Sequence, residues 1–206
     1  MDRKPLLELL DRYEARHPEE AACVARVRGL VAARADCFER SCPPGHVTGS
    51  AFVVSADGRR TLLVHHRKLD RWLQPGGHAD GESDVAQVAL REAREETGID
   101  ALTFVGTDGE PAPFDLDVHE IPARPGEPAH EHHDVRFLLV AAAGQEARAS
   151  EESHAVRWFE LDEISGRALD EISGLALDEI GDLDVDESVL RMTRKAQALL
   201  RARSSD

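Results

Sequence analysis

The segment from residue 76 to residue 99 constrains this chain more than any other part of its sequence. It begins with two adjacent glycines, Gly76 and Gly77, continues through a run of helix-forming residues rich in glutamate, and ends at Gly98. Glycines that open and close a helical run in this way predict a loop, a helix and a defined helix end.

Three carboxylates lie on one face of that predicted helix. Glu92, Glu95 and Glu96 stand at positions i, i+3 and i+4, so their side chains project in similar directions. Carboxylates this close repel one another unless a cation neutralises them, and Mg²⁺ is the usual cation beside a phosphate. The alternative is a solvated acidic face. The opposite side of the helix is apolar, with Ala86, Ala89, Leu90 and Ala93. Such a stripe predicts a docked helix and favours the metal site.

The segment closely resembles the Nudix box, whose pattern is G-x5-E-x7-R-E-U-x-E-E-x-G-U with U an aliphatic residue. The positions in register are Gly77, Arg91, Glu92, Ala93, Glu95, Glu96, Gly98 and Ile99. The first glutamate of the pattern is replaced by Ser83, and Glu82 stands one residue early. The resemblance implies an α/β fold over roughly residues 46–203, a Nudix-type α/β/α sandwich with a mixed sheet.

The resemblance also implies roles for the residues of the box. Glu95 and Glu96 would bind Mg²⁺, or Mn²⁺ as a substitute, together with the backbone carbonyl of Gly76. Glu92 would bind metal or act as the base for the attacking water, and Arg91 would hold the glutamates in position. The implied reaction is metal-dependent hydrolysis of the pyrophosphate bond of a nucleoside diphosphate linked to another moiety.

Members of the family often add one more acid from a later loop. Glu152 is the candidate for this role, with Glu151 second and an ordinary exposed loop acid as the alternative. A non-catalytic Nudix-like module that binds nucleotides and regulates another process is the competing function, and Ser83 gives it weight. Isopentenyl diphosphate isomerases share the fold, but they place a nucleophilic cysteine in the segment that corresponds to residues 74–77. This chain has no cysteine there, so that function is discarded.

Three side chains are candidates for substrate binding. His78 lies inside the glycine segment, where it would touch a phosphate or the metal shell, with simple loop exposure as the alternative. Arg67 belongs to a short basic stretch suited to phosphate, and Trp72 would stack on a base. The chemistry is consistent with a small phosphorylated substrate, but the sequence leaves the substrate open among nucleotide sugars, ADP-ribose, dinucleoside polyphosphates and oxidised nucleoside triphosphates.

A histidine-rich run precedes a predicted buried strand at residues 135–140. Alternation would place His130, His132 and Asp134 on one side of the chain, as a substrate-facing cluster or a second metal site. His133 would face the other side. A solvated strand entrance is the preferred interpretation of this run.

The positions of proline and glycine residues, which interrupt helices and strands, predict the domain organisation. Residues 1–45 read as a helical appendage that ends where two prolines stop the second helix. Residues 46–206 read as the Nudix domain, with an eight-residue acidic repeat at about 161–184 that is interpreted as a duplication in a surface loop. Strands are predicted at 47–54, 61–64, 102–105, 114–121, 135–140 and 156–159, and a closing helix at 186–203.

Charge and cysteine content limit the partners. A formal net charge of −15 argues against a nucleic-acid polymer, since phosphate backbones would be repelled. No apolar run approaches the length needed to span a membrane. Three cysteines without a Cys-x-x-Cys pair fit a reducing compartment, so we expect a cytoplasmic protein. The N-terminal helices are suited to forming a homodimer.

Overall fold

The computed structural model describes residues 1–106, 110–151, 153–166 and 186–203. The described helices are α1 (Lys4–Arg16), α2 (Ala21–Ala33), α3 (Val85–Thr97) and α4 (Glu187–Arg203), with a 3₁₀ turn at Pro18–Glu20. The strands are β1 (Gly45–Val54), β2 (Arg60–His66), β3 (Arg71–Leu73), β4 (Gly76–His78), β5 (Leu102–Phe104), β6 (Pro113–Ile121), β7 (His130–Ala141) and β8 (Ser153–Glu160).

These elements form two compact units, and the division falls inside α3. The first unit contains Met1–Ala51, Gly76–Glu92 and Phe104–Phe137. The second contains Phe52–Pro75, Ala93–Thr103 and the described part of Leu138–Asp206. The division of the sequence into an appendage at residues 1–45 and a domain at residues 46–206 stays a prediction.

The N-terminal helices of the first unit dock through apolar faces. Helix α1 buries Leu6, Leu10 and Tyr13, spaced three or four residues apart as on one helical face. Helix α2 buries an apolar set of its own, and both helices pack against β6. The segment that follows α2 is tied to the site region by its backbone. The amides of Val47 and Gly81 donate to the carbonyls of Cys37 and Phe38, at 2.7 and 3.0 Å.

Strands of the first unit pair in both directions. β4 lies antiparallel to β1, and β6 lies antiparallel to β7. β1 is the neighbour of β7. The amide of Glu131 donates to the carbonyl of Pro44 at 2.9 Å, and further along both strands the Ser50 hydroxyl donates to the Asp134 carboxylate. Because these partners advance together in sequence, β1 and β7 run parallel. The sheet is therefore mixed, as expected.

The second unit is organised around β2. Antiparallel β8 pairs with β2 over its whole length, and β3 pairs with its last residues. The end of β1 pairs with its start, with Val53 opposite Leu62, which confirms the hairpin around Gly58. That glycine has φ +68°, a conformation glycine adopts at no steric cost. Helix α4 buries Val189, Met192, Thr193 and Ala196, the amphipathic pattern expected of the closing helix.

Two elements differ from the sequence prediction. The glycines of residues 76–78 form a short strand instead of a loop, because a segment without side chains can pair closely with β1. β7 begins at His130 rather than at residue 135, so the histidine run belongs to the sheet. Of the acidic repeat, residues 161–166 are helical and 167–184 lie outside the described residues. No helix among the described residues is long and apolar enough to cross a membrane.

Candidate active site

Close backbone approach at β4 shapes the first part of the site. Gly76 and Gly77 pair with Ser50 and Gly49 of β1. A Cβ atom on Gly77 would lie 2.5 Å from the Cδ and Oε2 atoms of Glu92, and one on Gly76 would overlap the Ser50 side chain. Both contacts are far below van der Waals distance. Glycine is required at residue 76, where the clash involves Ser50 Cβ and Cα, and a side chain at residue 77 would displace the Glu92 carboxylate.

Helix α3 lies directly against β1 at another glycine. A Cβ atom on Gly49 would meet the carbonyl oxygen of Val85 at 2.8 Å and the amide nitrogen of Ala89 at 3.1 Å. The first half of the helix buries its apolar residues, including Val85, Val88 and Ala89. The predicted docked helix is confirmed, and its docking fixes the direction in which Glu92 points.

The Arg91 guanidinium joins that carboxylate to β4. Its Nη1 donates to Oε1 of Glu92 at 2.6 Å and its Nη2 donates to the backbone carbonyl of His78 at 3.3 Å. The Glu92 side chain is 16% exposed, so it is largely sheltered from solvent while still reachable. Glu95 is exposed and Glu96 half-buried one turn further along the same helix. These carboxylates, with the Gly76 carbonyl, are oxygen donors of the type Mg²⁺ prefers.

His78 is half-buried on β4. Burial and the positive charge of Arg40 lower the pKa of His78, so its imidazole is neutral near pH 7. Asp80 follows it with a left-handed backbone, φ +48°, and accepts a bond from Nη2 of Arg40 at 2.6 Å. That hydrogen bond lowers the pKa of Asp80. The carboxylate of Asp80 is therefore paired with Arg40.

The histidine run is not a solvated strand entrance, so the preferred interpretation of this run was wrong. His133 and Asp134 are 3% and 4% exposed, and the side chain of His130 is 10% exposed. His130 and His132 lie beside His46 of β1, and one ring nitrogen from each of the three lies within 4.8 Å of the others. No motif in the sequence indicates His46 as a site residue.

Alternation along the parallel strands explains this gathering. His46, Thr48 and Ser50 occupy every second position of β1, and they face the matching positions of β7. Further along, the hydroxyls of Thr48 and Ser50 donate to the two carboxylate oxygens of Asp134 at 3.0 and 2.7 Å. These contacts agree with the prediction that His130, His132 and Asp134 lie on one side of the strand.

Asp134 belongs to a buried ionic network. Its Oδ2 accepts from Nε of Arg136 at 2.7 Å, and Arg136 also donates to Asp115 and Asp117 at 3.1 and 3.2 Å. Arg136 is 2% exposed. Burial alone would lower the pKa of Arg136, but the three aspartates together raise it, so the guanidinium stays charged. Asp134 is therefore held in a structural network.

The remaining predicted site residues lie in the second unit or outside the described residues. Arg67 is exposed and donates to the carbonyl of Ser153 at 3.4 Å. Trp72 is 9% exposed and packs between the rings of His65 and Phe159, each with a centroid distance of 4.9 Å. Glu152 lies outside the described residues, and its alternative Glu151 is exposed.

Comparison with known proteins identifies the family. The family model described as the NUDIX domain matches residues 45–176, more than half of the chain, and this chain belongs to the Nudix family. The match includes β4, the whole of α3 and the Arg91–Glu92 pair, which are the elements that the sequence resemblance had indicated.

Two mammalian relatives share about a third of their residues with this chain. The bis(5'-nucleosyl)-tetraphosphatase [asymmetrical] of Rattus norvegicus is 34% identical over 103 residues, which is 48% of this chain and 59% of the relative. The protein of the same name from Sus scrofa is 36% identical over 105 residues, 50% of this chain and 64% of the relative. The chain thus matches less than two thirds of the length of each relative.

Solved structures confirm the fold. An Ap4A hydrolase binary complex from C. elegans superposes with a TM-score of 0.51 at 20% identity, over 76% of this chain and 98% of that one. A Nudix-family hydrolase from Clostridium perfringens gives a TM-score of 0.54 at 22% identity, over 75% and 97%. At these identities the likeness concerns the fold alone, and it confirms the Nudix-type α/β fold with its mixed sheet.

Proposed function

We propose that this chain is a metal-dependent pyrophosphohydrolase that cleaves the phosphoanhydride bond of a nucleotide linked to a second moiety. The observation that carries the proposal is the position of Glu92, whose carboxylate lies against Gly77 and is held there by Arg91. Membership of the Nudix family supports the reaction class. The names of the matched relatives favour a dinucleoside polyphosphate as substrate, with asymmetric cleavage into unequal products.

The donor set fits the metal that the family implies. We propose that the carbonyl of Gly76 and the carboxylates of Glu92, Glu95 and Glu96 hold Mg²⁺, with Mn²⁺ as a substitute. All four are oxygen donors, which hard cations prefer. The absence of a side chain at Gly77 leaves the Glu92 carboxylate room beside β4. When bound, Mg²⁺ offsets the negative charge of the phosphates and lowers the pKa of water.

Glu92 and Arg91 have separate roles in the attack of water on phosphorus. Glu92 accepts a proton from the water that attacks phosphorus, a task for which a sheltered carboxylate in a fixed rotamer is suited. Arg91 keeps that carboxylate beside the β4 backbone. In-line attack depends mainly on the positions of the reacting groups, so the rigid docking of α3 on β1 is itself part of the mechanism.

Other predicted residues complete the proposal. His78, Arg67 and Trp72 stay candidates for substrate contact, and Glu152 stays the candidate for the additional acid. Of these, the neutral imidazole of His78 is suited to hydrogen bonding with a phosphate or a water.

A substrate panel with paired variants tests the proposal. Turnover of diadenosine tetraphosphate, ADP-ribose, a nucleotide sugar and an oxidised nucleoside triphosphate is measured with Mg²⁺, with Mn²⁺ and after chelation. We expect metal-dependent turnover of the tetraphosphate into two unequal nucleotides, which chromatography resolves. Glu96→Gln should abolish it. Glu82→Gln is the matched control, because Glu82 is an exposed acid outside the box register, and it should leave turnover unchanged.

The second candidate is a non-catalytic nucleotide-binding module, favoured by Ser83 at the first glutamate position of the box. Tight, metal-dependent binding of one compound without turnover would support it and would contradict the hydrolase. In that case Ser83→Glu is the next variant, since it restores the missing carboxylate.

A small phosphorylated substrate, a cytoplasmic setting and a homodimer are also part of the proposal. All three cysteines, Cys23, Cys37 and Cys42, lie among the described residues and none of them is in a disulfide, which is usual in a reducing compartment. Sedimentation of the purified chain at several concentrations tests the dimer.

A further inference from the structure

Five imidazoles gather at one place in the first unit. The ring of His46 lies 5.0 Å from His78, 5.1 Å from His130 and 4.8 Å from His132, measured between centroids. His119 lies 5.4 Å from His132 at the edge of the group. Each of these imidazoles carries ring nitrogens of the kind that bind metal ions.

Within this group three nitrogens are close enough to share one ligand. One ring nitrogen from each of His46, His130 and His132 lies within 4.8 Å of the other two. Zinc–nitrogen bonds of about 2.0–2.1 Å place neighbouring tetrahedral ligands roughly 3.3–3.5 Å apart. Small side-chain rotations would bring the three nitrogens to this spacing.

Each of these three histidines has a buried ring nitrogen that lacks a hydrogen-bond partner. Both ring nitrogens of His46 and the Nε2 atoms of His130 and His132 are buried, and the described residues offer none of them a hydrogen bond. His46 is 1% exposed. Oε1 of Glu127 lies 3.8 Å from Nε2 of His130, beyond hydrogen-bond distance. Leaving a buried polar atom without a partner is unfavourable, and a bound cation would remove this cost.

The tautomer of His130 has the lone pair on Nε2, the ring nitrogen that is buried without a partner. Its Nδ1 lies 2.9 Å from the carbonyl oxygen of Pro128. A carbonyl can only accept, so Nδ1 carries the hydrogen and Nε2 carries the lone pair. A ligating histidine almost always donates its other ring N–H to a carbonyl or carboxylate in this way.

Protonation does not compete for the cluster near neutral pH. Burial, together with the neighbouring histidines, lowers the pKa of His46 to about 4 and that of His132 to about 2. Both rings are therefore neutral at pH 7, which is the form that binds metal.

We propose that His46, His130 and His132 form a binding site for a first-row transition-metal dication of the Zn²⁺ class. The site joins the starts of the parallel strands β1 and β7, and the ring of His78 lies beside it, 5.0 Å from that of His46 between centroids. Its donors are imidazole nitrogens, which suit Zn²⁺ and disfavour Mg²⁺. It is therefore chemically distinct from the carboxylate set of α3, and neither site requires the other.

Zinc titration of tag-free, chelator-treated protein tests this proposal. Competition with a chromophoric chelator should show about one tightly bound Zn²⁺ per chain, with excess Mg²⁺ unable to displace it. The Co²⁺-substituted wild type should show the intense visible absorption of low-coordinate Co²⁺ bound to nitrogen. A wild-type protein with neither signal would overturn the proposal, and this readout does not depend on the folding of any variant.

Variants locate the site. His46→Gln and His132→Gln should each weaken Zn²⁺ binding more than about 100-fold, since even an outer-shell change costs roughly 10–100-fold. His154→Gln is the matched control because His154 is an exposed histidine of the second unit. Glu92→Gln tests independence from the carboxylates, and both controls should bind like wild type. Tight binding that survives in both cluster variants, or is lost in Glu92→Gln, would contradict the proposal.

Discussion

The guanidinium of Arg91 lies 2.6 Å from the carboxylate of Glu92, its immediate neighbour on α3. Adjacent helical residues point in different directions and do not normally face each other. The contact forms because Arg91 also reaches the backbone carbonyl of His78, which holds its side chain across the front of Glu92. The pair therefore depends on the position of β4.

Changing this pair should separate positioning from proton transfer. We expect Glu92→Gln to lower kcat by about 10²–10⁴-fold, the range for loss of a general base. Arg91→Met should lower kcat less, because Glu92 remains present but loses its fixed rotamer. A pH–rate profile provides the check: the acidic limb should disappear in Glu92→Gln and only shift in Arg91→Met. Equal losses with unchanged profiles would contradict the assigned roles.

Gly77→Ala should damage the site without changing any charge. The new methyl group would lie 2.5 Å from the Glu92 carboxylate, so either the carboxylate or β4 must move. We expect a loss of turnover of at least about 10²-fold, as a displacement of about 1 Å is sufficient for that loss. Steady-state kinetics and thermal unfolding are measured together.

Gly29→Ala is the matched control for that variant. Nothing lies within 4 Å of the position where its Cβ would be placed, in the interior of α2. Turnover should be unchanged, and the free energy of unfolding should rise by up to about 1 kcal/mol because alanine favours the helix. Gly77→Ala with wild-type turnover would show that Glu92 tolerates displacement.

Arg136→Met should destabilise the chain strongly. The substitution leaves Asp134, Asp115 and Asp117 close together without their shared cation. Breaking a buried ion pair by removing one partner costs about 3–5 kcal/mol, measured by urea unfolding. Arg26→Met is the control, because Arg26 and its partner Glu131 are 51% and 36% exposed, and an exposed pair contributes about 0–1 kcal/mol. Similar losses in both variants would argue against the network.

Stability of the metal-free protein should fall as the pH is lowered from about 6.5 towards 5. The pKa of His46 is lowered to about 4 in the folded chain, whereas an unfolded histidine titrates near 6.5. Below that value the unfolded chain binds the proton more readily, so acid favours unfolding. Each such histidine adds a slope of up to about 1.4 kcal/mol per pH unit.

Urea unfolding at pH 7, 6 and 5, with a chelator present, measures this slope. The other charged groups that influence His46 are His78, His130, Arg40 and Asp80, and all of them remain in His46→Gln. That variant should therefore show a shallower dependence on pH than wild type. An unchanged slope would mean that folding does not lower the pKa of His46.

The sequence predicted the carboxylate helix because the signal is local. Glu92, Glu95 and Glu96 share one turn, and the helical period alone places them on one face. The short strand β4 was missed because Gly76 and Gly77 have no side chains whose alternation could reveal it. The gathering of His46 with His130 was missed for a different reason. It depends on the parallel register of β1 and β7, which brings together residues far apart in sequence, and no local pattern specifies that register.

The two backbone hydrogen bonds from the segment after α2 affect how this protein can be trimmed for experiments. The family match begins at residue 45, which makes that residue an obvious first position for a shortened chain. Such a fragment would lose the carbonyls of Cys37 and Phe38 that accept the amides of Val47 and Gly81. Those amides flank the start of β1 and the turn after β4. Inactivity of a trimmed fragment would therefore report a damaged scaffold and say nothing about the chemistry of the intact chain.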